Sequence, residues 1–176
     1  MKRLPGRWVL LGMCVAVTGA GAGLAFSGMP LPWSASRSLP PPRARVYENV
    51  DACLLTGSQG LADPAAAQAW AGLEDASRAT SARVSYLAAT GPATEAEAVP
   101  FAGSLLVRGC KVIVASGTAE RAAALTEARQ FGSVRFVVDG PAPGSPPNVT
   151  ALVFTTSGLR ASVASAVEDG VRSASG

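Results

Sequence analysis

Between residues 51 and 172 the chain alternates short apolar runs with stretches of helical periodicity. This alternation limits the fold more than any other feature. Asp51-Ala52-Cys53-Leu54-Leu55-Thr56 is too short for a helix and stops at Gly57, as a buried parallel strand does. Asp63-Pro64 then supplies an N-cap and a proline at the first helical position. Ala66, Trp70, Leu73 and Ala76 recur at three and four residues, forming one apolar helical face. A second strand runs through Val84, Tyr86 and Leu87. Thr94-Glu95-Ala96-Glu97 is a capping-box pattern, and a helix follows through Phe101, Leu105 and Leu106. Pro100 lies inside that helix, so its regular part starts either at the box or at the proline.

Lys111-Val112-Ile113-Val114-Ala115 is the third strand, ending at Ser116-Gly117. Thr118 reads as the cap of a third helix through Ala122, Leu125 and Ala128, stopped by Gly132. Val134-Arg135-Phe136-Val137-Val138 is the fourth strand, ending at Asp139-Gly140. A Pro- and Gly-rich loop leads to a fifth strand over 149–154. A last helix from Ser157 places Leu159, Val163 and Val167 on one face. Strands alternating with helices imply right-handed parallel crossovers. The expected fold is α/β: one doubly wound, mainly parallel five-stranded sheet, order 2-1-3-4-5, with helices on both faces. Alanine supplies much of the 48% apolar share and aromatics only 6%, so the core must be built from small and β-branched side chains.

Sites in such sheets lie at the carboxyl ends of the strands, near the switch between the first and third. Here that edge carries Thr56, Gly57 and Ser58, then Gly117, then Asp139. These five are the candidate ligand-binding residues. Gly57-Ser58-Gln59-Gly60 lacks the lysine of a P-loop and the third glycine of a dinucleotide fingerprint, and reads more simply as a turn after a strand. Asp139 can accept ligand hydroxyls or can serve the turn before Gly140. Glu74 and Asp75 read as solvated residues of an exposed helix face. The first strand ends without the clustered acids of a receiver domain.

The chain has no histidine, which removes Ser-His-Asp and Cys-His catalysis and histidine metal sites. Ser58 has no base to activate it. The expectation is a non-enzyme with no cofactor and no metal. The net charge of +3 belongs to the first 45 residues. From Val46 onward nine Lys or Arg face all twelve acids, the opposite of a nucleic-acid domain.

The N-terminus explains that split. Lys2, Arg3 and Arg7 precede an uncharged stretch, of which residues 8–26 are apolar or small. As a helix this stretch spans about 28 Å at 1.5 Å per residue, close to a hydrocarbon core of about 30 Å. Residues 1–36 are therefore a signal peptide or a transmembrane anchor, with Ala20-Gly21-Ala22 as a cleavage site under the first reading. Cys14 lacks the context of a lipoprotein cysteine and reads as one more apolar residue. Residues 37–47, with Pro40-Pro41-Pro42, form a stiff linker. The domain over 48–174 is expected outside the cytoplasm, anchored or secreted. There Cys53 and Cys110, at the amino-terminal ends of neighbouring strands, are either a disulfide or two buried thiols. Asn148-Val149-Thr150 matches a glycosylation acceptor but sits where a loop enters a strand.

Several stretches, taken in order, carry a family resemblance. They are Ala52-Cys53-Leu54-Leu55-Thr56, Ala69-Trp70-Ala71-Gly72-Leu73, the third strand through Gly117, Phe131-Gly132-Ser133-Val134-Arg135-Phe136-Val137-Val138-Asp139, and Asn148-Val149-Thr150 into the fifth strand. Together these resemble the first lobe of the basic membrane protein (BMP) family, nucleoside-type substrate-binding proteins of ABC importers. The resemblance covers about residues 50–170. It implies a nucleoside-like ligand and a membrane partner, with Thr56, Gly117 and Asp139 at matching places. The family has two lobes and this chain holds one. The family's aspartate after the strand-1 threonine is Gly57 here. Its aromatic and asparagine near the first helix are replaced by Ala65-Ala66-Ala67. These departures open a second reading, an interaction or sensory module that has lost ligand binding and works as a homodimer or beside a membrane protein.

Overall fold

The computed structural model describes residues 46–152 and 158–175. The expected hydrophobic helix, the cleavage site, Cys14, most of the linker, and residues 153–157 of the last crossover lie outside the described residues. Among the described residues no helix is long and apolar enough to cross a membrane.

Five strands, β1 (Asp51–Thr56), β2 (Arg83–Ala88), β3 (Val112–Ser116), β4 (Arg135–Asp139) and β5 (Val149–Leu152), form one sheet in the order β2-β1-β3-β4-β5. Every pairing is parallel, as expected. Leu54 stands opposite Tyr86 on one side and Val114 on the other, and Val114 stands opposite Val137. Helices α1 (Pro64–Thr80), α2 (Glu95–Val107), α3 (Thr118–Ala128) and α4 (Leu159–Ala174) cover both faces. Side chains alternate across a strand, so the sheet divides its apolar residues between two cores. Leu54, Val112, Val114 and Val137 pack with Leu73 of α1 and Val163 and Val167 of α4. Leu55, Ile113, Phe136 and Val138 pack with Leu105 of α2 and with Ala119, Ala123, Ala124 and Ala128 of α3. β1 and β3 are central and covered on both faces, which is why they read as unbroken apolar runs.

Small residues set the spacing of the layers. A Cβ on Gly72 of α1 would lie 2.5 Å from the Arg160 carbonyl oxygen and 2.9 Å from Val163 Cβ. α1 and α4 therefore approach backbone to backbone. The same interface corrects the expectation that Asp75 is simply solvated. It pairs with Arg78 on its own helix and with Arg160 on α4, where Arg160 Nη2 donates to Oδ1 at 2.8 Å. The hydrogen bonds from Arg160 and then Arg78 hold the Asp75 carboxyl well below the usual carboxylate range.

Two helix starts are decided by their caps. α2 begins at the capping box: Thr94 Oγ1 accepts from Glu97 N–H at 3.4 Å, and Pro100 sits within the helix. Proline there removes a single backbone bond, and burial of Ala98, Ala102 and Leu105 holds the turn around it. α3 is capped by Gly117, with Thr118 as its first residue. Gly117 has φ 116°, a conformation open to glycine and strained for threonine. α3 also ends at Ala128, ahead of Gly132.

Cys53 and Cys110 form a disulfide, with 6.0 Å between Cα atoms. It ties β1 to the entry of β3, the first of the two readings left open by the sequence. Asn148 is settled too. It is 7% exposed, and its Nδ2 donates to the carbonyls of Ala128 (3.1 Å), Phe131 (3.1 Å) and Val134 (2.9 Å). The amide pins the turn between α3 and β4 to the start of β5, replacing the helix that a β4–β5 crossover would ordinarily contain. Removing it strands buried carbonyls, at about 1–3 kcal/mol per lost partner set. Asn148→Ala is expected to lower the unfolding free energy by about 2 kcal/mol, read from the urea midpoint at unchanged slope.

Candidate functional site

α1 leaves the end of β1 on one face of the sheet, and α3 leaves the end of β3 on the other. The two strand ends therefore part, and a crevice opens between them. A cleft of about 410 Å³ lies there. Its walls are the loop after β1 with Asp63 and Ala65 at the start of α1, Ala93, the turn from Ser116 to Glu120, and Asp139. All five candidates from the sequence, Thr56, Gly57, Ser58, Gly117 and Asp139, line this one cleft.

The β1 loop is folded on itself. Gly60 N–H donates to Gly57 O at 2.8 Å, and Thr56 Oγ1 donates to Gly60 O at 3.4 Å. Gly60 has φ 56°. The chain then makes a 3-10 turn over Gly60–Ala62 before Asp63, whose Oδ1 accepts from Ala66 N–H at 2.8 Å and caps α1. The Gly60 amide thus faces its own loop and is not offered to the cleft.

Asp139 joins the ends of β3 and β4. Its Oδ2 accepts from Gly117 N–H at 3.0 Å and from Ser116 Oγ at 3.4 Å. Its Oδ1 is buried and has no hydrogen-bond partner. The nearest cation is Arg121, with Nη1 4.0 Å from Oδ1, but that nitrogen donates to the Asp139 main-chain oxygen at 2.7 Å. Burial raises the Asp139 carboxyl above its ordinary value, and this outweighs the Gly117 amide and the more distant Arg121.

Glu120 is the residue that sequence reasoning missed. It is the third residue of α3 and only 5% exposed. Its carboxylate fits into space left by two glycines. A Cβ on Gly57 would lie 3.3 Å from Oε1, and a Cβ on Gly117 would collide with Oε2. Among the described residues its side chain makes no hydrogen bond or ion pair. The signal was present in the sequence: with Gly117 as cap, Glu120 stands at the third helical position, where a glutamate turns back toward the helix start. Choosing Thr118 as the cap hid it. Asp63, Glu120 and Asp139 make the cleft acidic, and among the described residues no Lys or Arg lines it. Such walls accept hydrogen bonds from hydroxyls, amides and cations. Among the described residues no three His, Cys, Asp or Glu gather as metal ligands.

No family model matches the chain, and no curated protein matches it by sequence. Solved structures do match. A fragment described as a lipoprotein, from Peptoclostridium difficile 630, superposes with a TM-score of 0.59 at 11% identity, over 69% of this chain and 98% of that one. The shared feature is the α/β fold. A transcriptional activator of the comK gene from Bacillus halodurans (TM-score 0.48, 22% identity) and an ABC-transporter solute-binding protein from Conexibacter woesei DSM 14684 (TM-score 0.48, 25% identity) align with 59% and 58% of this chain. The chain spans 34% of each of those two proteins, and a likeness of that size says nothing of function.

Proposed function

We propose that this chain is an exported, non-catalytic binding domain of the solute-binding type, holding a small polar ligand at the carboxyl edge of its sheet. One observation carries the reading. Residues from the ends of β1, β3 and β4 meet around a single cleft at the switch point of the sheet, the default ligand position in this architecture. Asp139 lines this cleft with an Oδ1 that receives no hydrogen bond. The BMP resemblance supports a nucleoside-like ligand, whose hydroxyls and ring amines are donors. The apolar N-terminal stretch and the disulfide support a position outside the cytoplasm.

A second reading has its own observation. Ala65 lines the cleft where an aromatic would stack on a base, and no aromatic is among the lining residues that the structure describes. This favours a membrane-anchored interaction or sensory module without a ligand. Thermal unfolding of the full chain in detergent, against nucleosides and nucleobases, separates the two. A ligand at 100 times its Kd stabilises by about 2.7 kcal/mol, a rise of roughly 8–10 °C for a domain of this size. A dose-dependent rise with one class is expected. No shift at millimolar ligand would move the reading to the interaction module.

A further inference from the structure

We propose that the cleft selects ligands that present a protonated amine, with Glu120 as the acceptor that recognises it. This rests on the reading of the cleft as a ligand site and names the chemistry that site takes. A glutamate in so buried a position is ordinarily paired or hydrogen-bonded, because a carboxylate that loses its water is costly. Glu120 lines the cleft at 5% exposure and has no partner among the described residues. Gly57 and Gly117 leave the room that lets it sit there. Asp139 lines the same cleft, and its Oδ1 receives no hydrogen bond, with the Arg121 guanidinium 4.0 Å away.

The same geometry disfavours anions. The start of α3 would ordinarily attract a phosphate, but its first turn carries Glu120, whose carboxylate lies against Gly117. The Gly117 amide is committed to Asp139, and the Gly60 amide to Gly57. The nearby Arg121 is bound to the Asp139 main chain. What the cleft lacks is a donor with positive charge, and an ammonium group supplies both.

The test titrates the full chain with 1,4-diaminobutane, 1,4-butanediol, inorganic phosphate and adenosine, following binding by ligand-observed NMR, which reads weak complexes. The diamine is expected to bind at least tenfold more tightly than the diol and than phosphate. Glu120→Gln keeps the shape and removes the charge. It should weaken the diamine at least tenfold while the protein unfolds no earlier than wild type, since the lost charge had no partner. Equal binding of diamine and diol would overturn the inference, as would full diamine affinity in a folded Glu120→Gln. If that variant does not fold, the wild-type ranking decides alone. Adenosine binding without diamine binding would overturn the inference and leave the ligand site standing. Binding of none of the four would overturn both.

Discussion

Reduction of the Cys53–Cys110 disulfide is expected to lower the unfolding free energy of the domain by about 4 kcal/mol. The bond joins residues 57 apart in sequence. In the chain-entropy account, releasing a loop of that length frees the unfolded chain by about 4 kcal/mol at 25 °C. The loop contains α1, β2 and α2, and β2 is an edge strand paired only to β1. Without the bond, this half of the sheet closes at the full entropic cost of a long loop. The two cysteines are buried, at 1% and 2% exposure, so a reductant reaches the bond when the domain opens. Denaturation of oxidised and reduced chain, and of the Cys53→Ala/Cys110→Ala pair, should show a melting temperature lower by roughly 12–16 °C without the bond. Coincident curves would mean that the unfolded chain is already compact across this loop. A loss of this size would leave little of a marginal stability in a reducing compartment.

The fold was legible because its signals are local and agree. β1, β3 and β4 are short apolar runs closed by Gly57, Gly117 and Gly140, and the crossover helices carry a three-and-four periodicity. The order 2-1-3-4-5 then follows from handedness and packing on both faces. Strand-end candidates were legible for the same reason: topology fixes which strand ends part, and Thr56, Gly57, Ser58, Gly117 and Asp139 sit at those ends. Partnership across space was not legible. Asp75 looks solvated until α4 brings Arg160 to it. Asn148 looks like a plain loop-to-strand junction until three carbonyls converge on its amide. Glu120 looks like a helix-surface charge until two glycines without Cβ atoms admit its carboxylate. In each case the missing information is a close approach between segments distant in sequence or around a glycine, which no periodicity encodes.

Phe136→Ala is expected to cost about 4 kcal/mol, within the range of about 3–5 for a buried phenylalanine. The magnitude follows from the composition of the core. Phe136 of β4 is fully buried, and the core around it is largely alanine: Ala98 and Ala102 of α2 and Ala119, Ala123, Ala124 and Ala128 of α3. Alanines have no side-chain torsion with which to fill a void, so the space left by the ring can close only if α3 moves toward the sheet. That helix is held at its start by Gly117, whose amide is fixed to Asp139, and near its end by the Asn148 amide on the Ala128 carbonyl. A helix tied at both ends relaxes little, and an unrelaxed cavity carries the larger penalty. Phe136→Leu, which keeps most of the volume, should cost less than about 1.5 kcal/mol. Urea unfolding of both variants with the disulfide intact should show this gap as a shift in midpoint at constant slope. Equal losses for Leu and Ala would mean that the core responds to ring shape rather than to volume. A small loss for Ala would mean that α3 slides despite its two ties. Glu120 and Gly117 would move with it, so such a variant should also change binding at the cleft. Packing beneath α3 and recognition above β3 would then respond to one displacement.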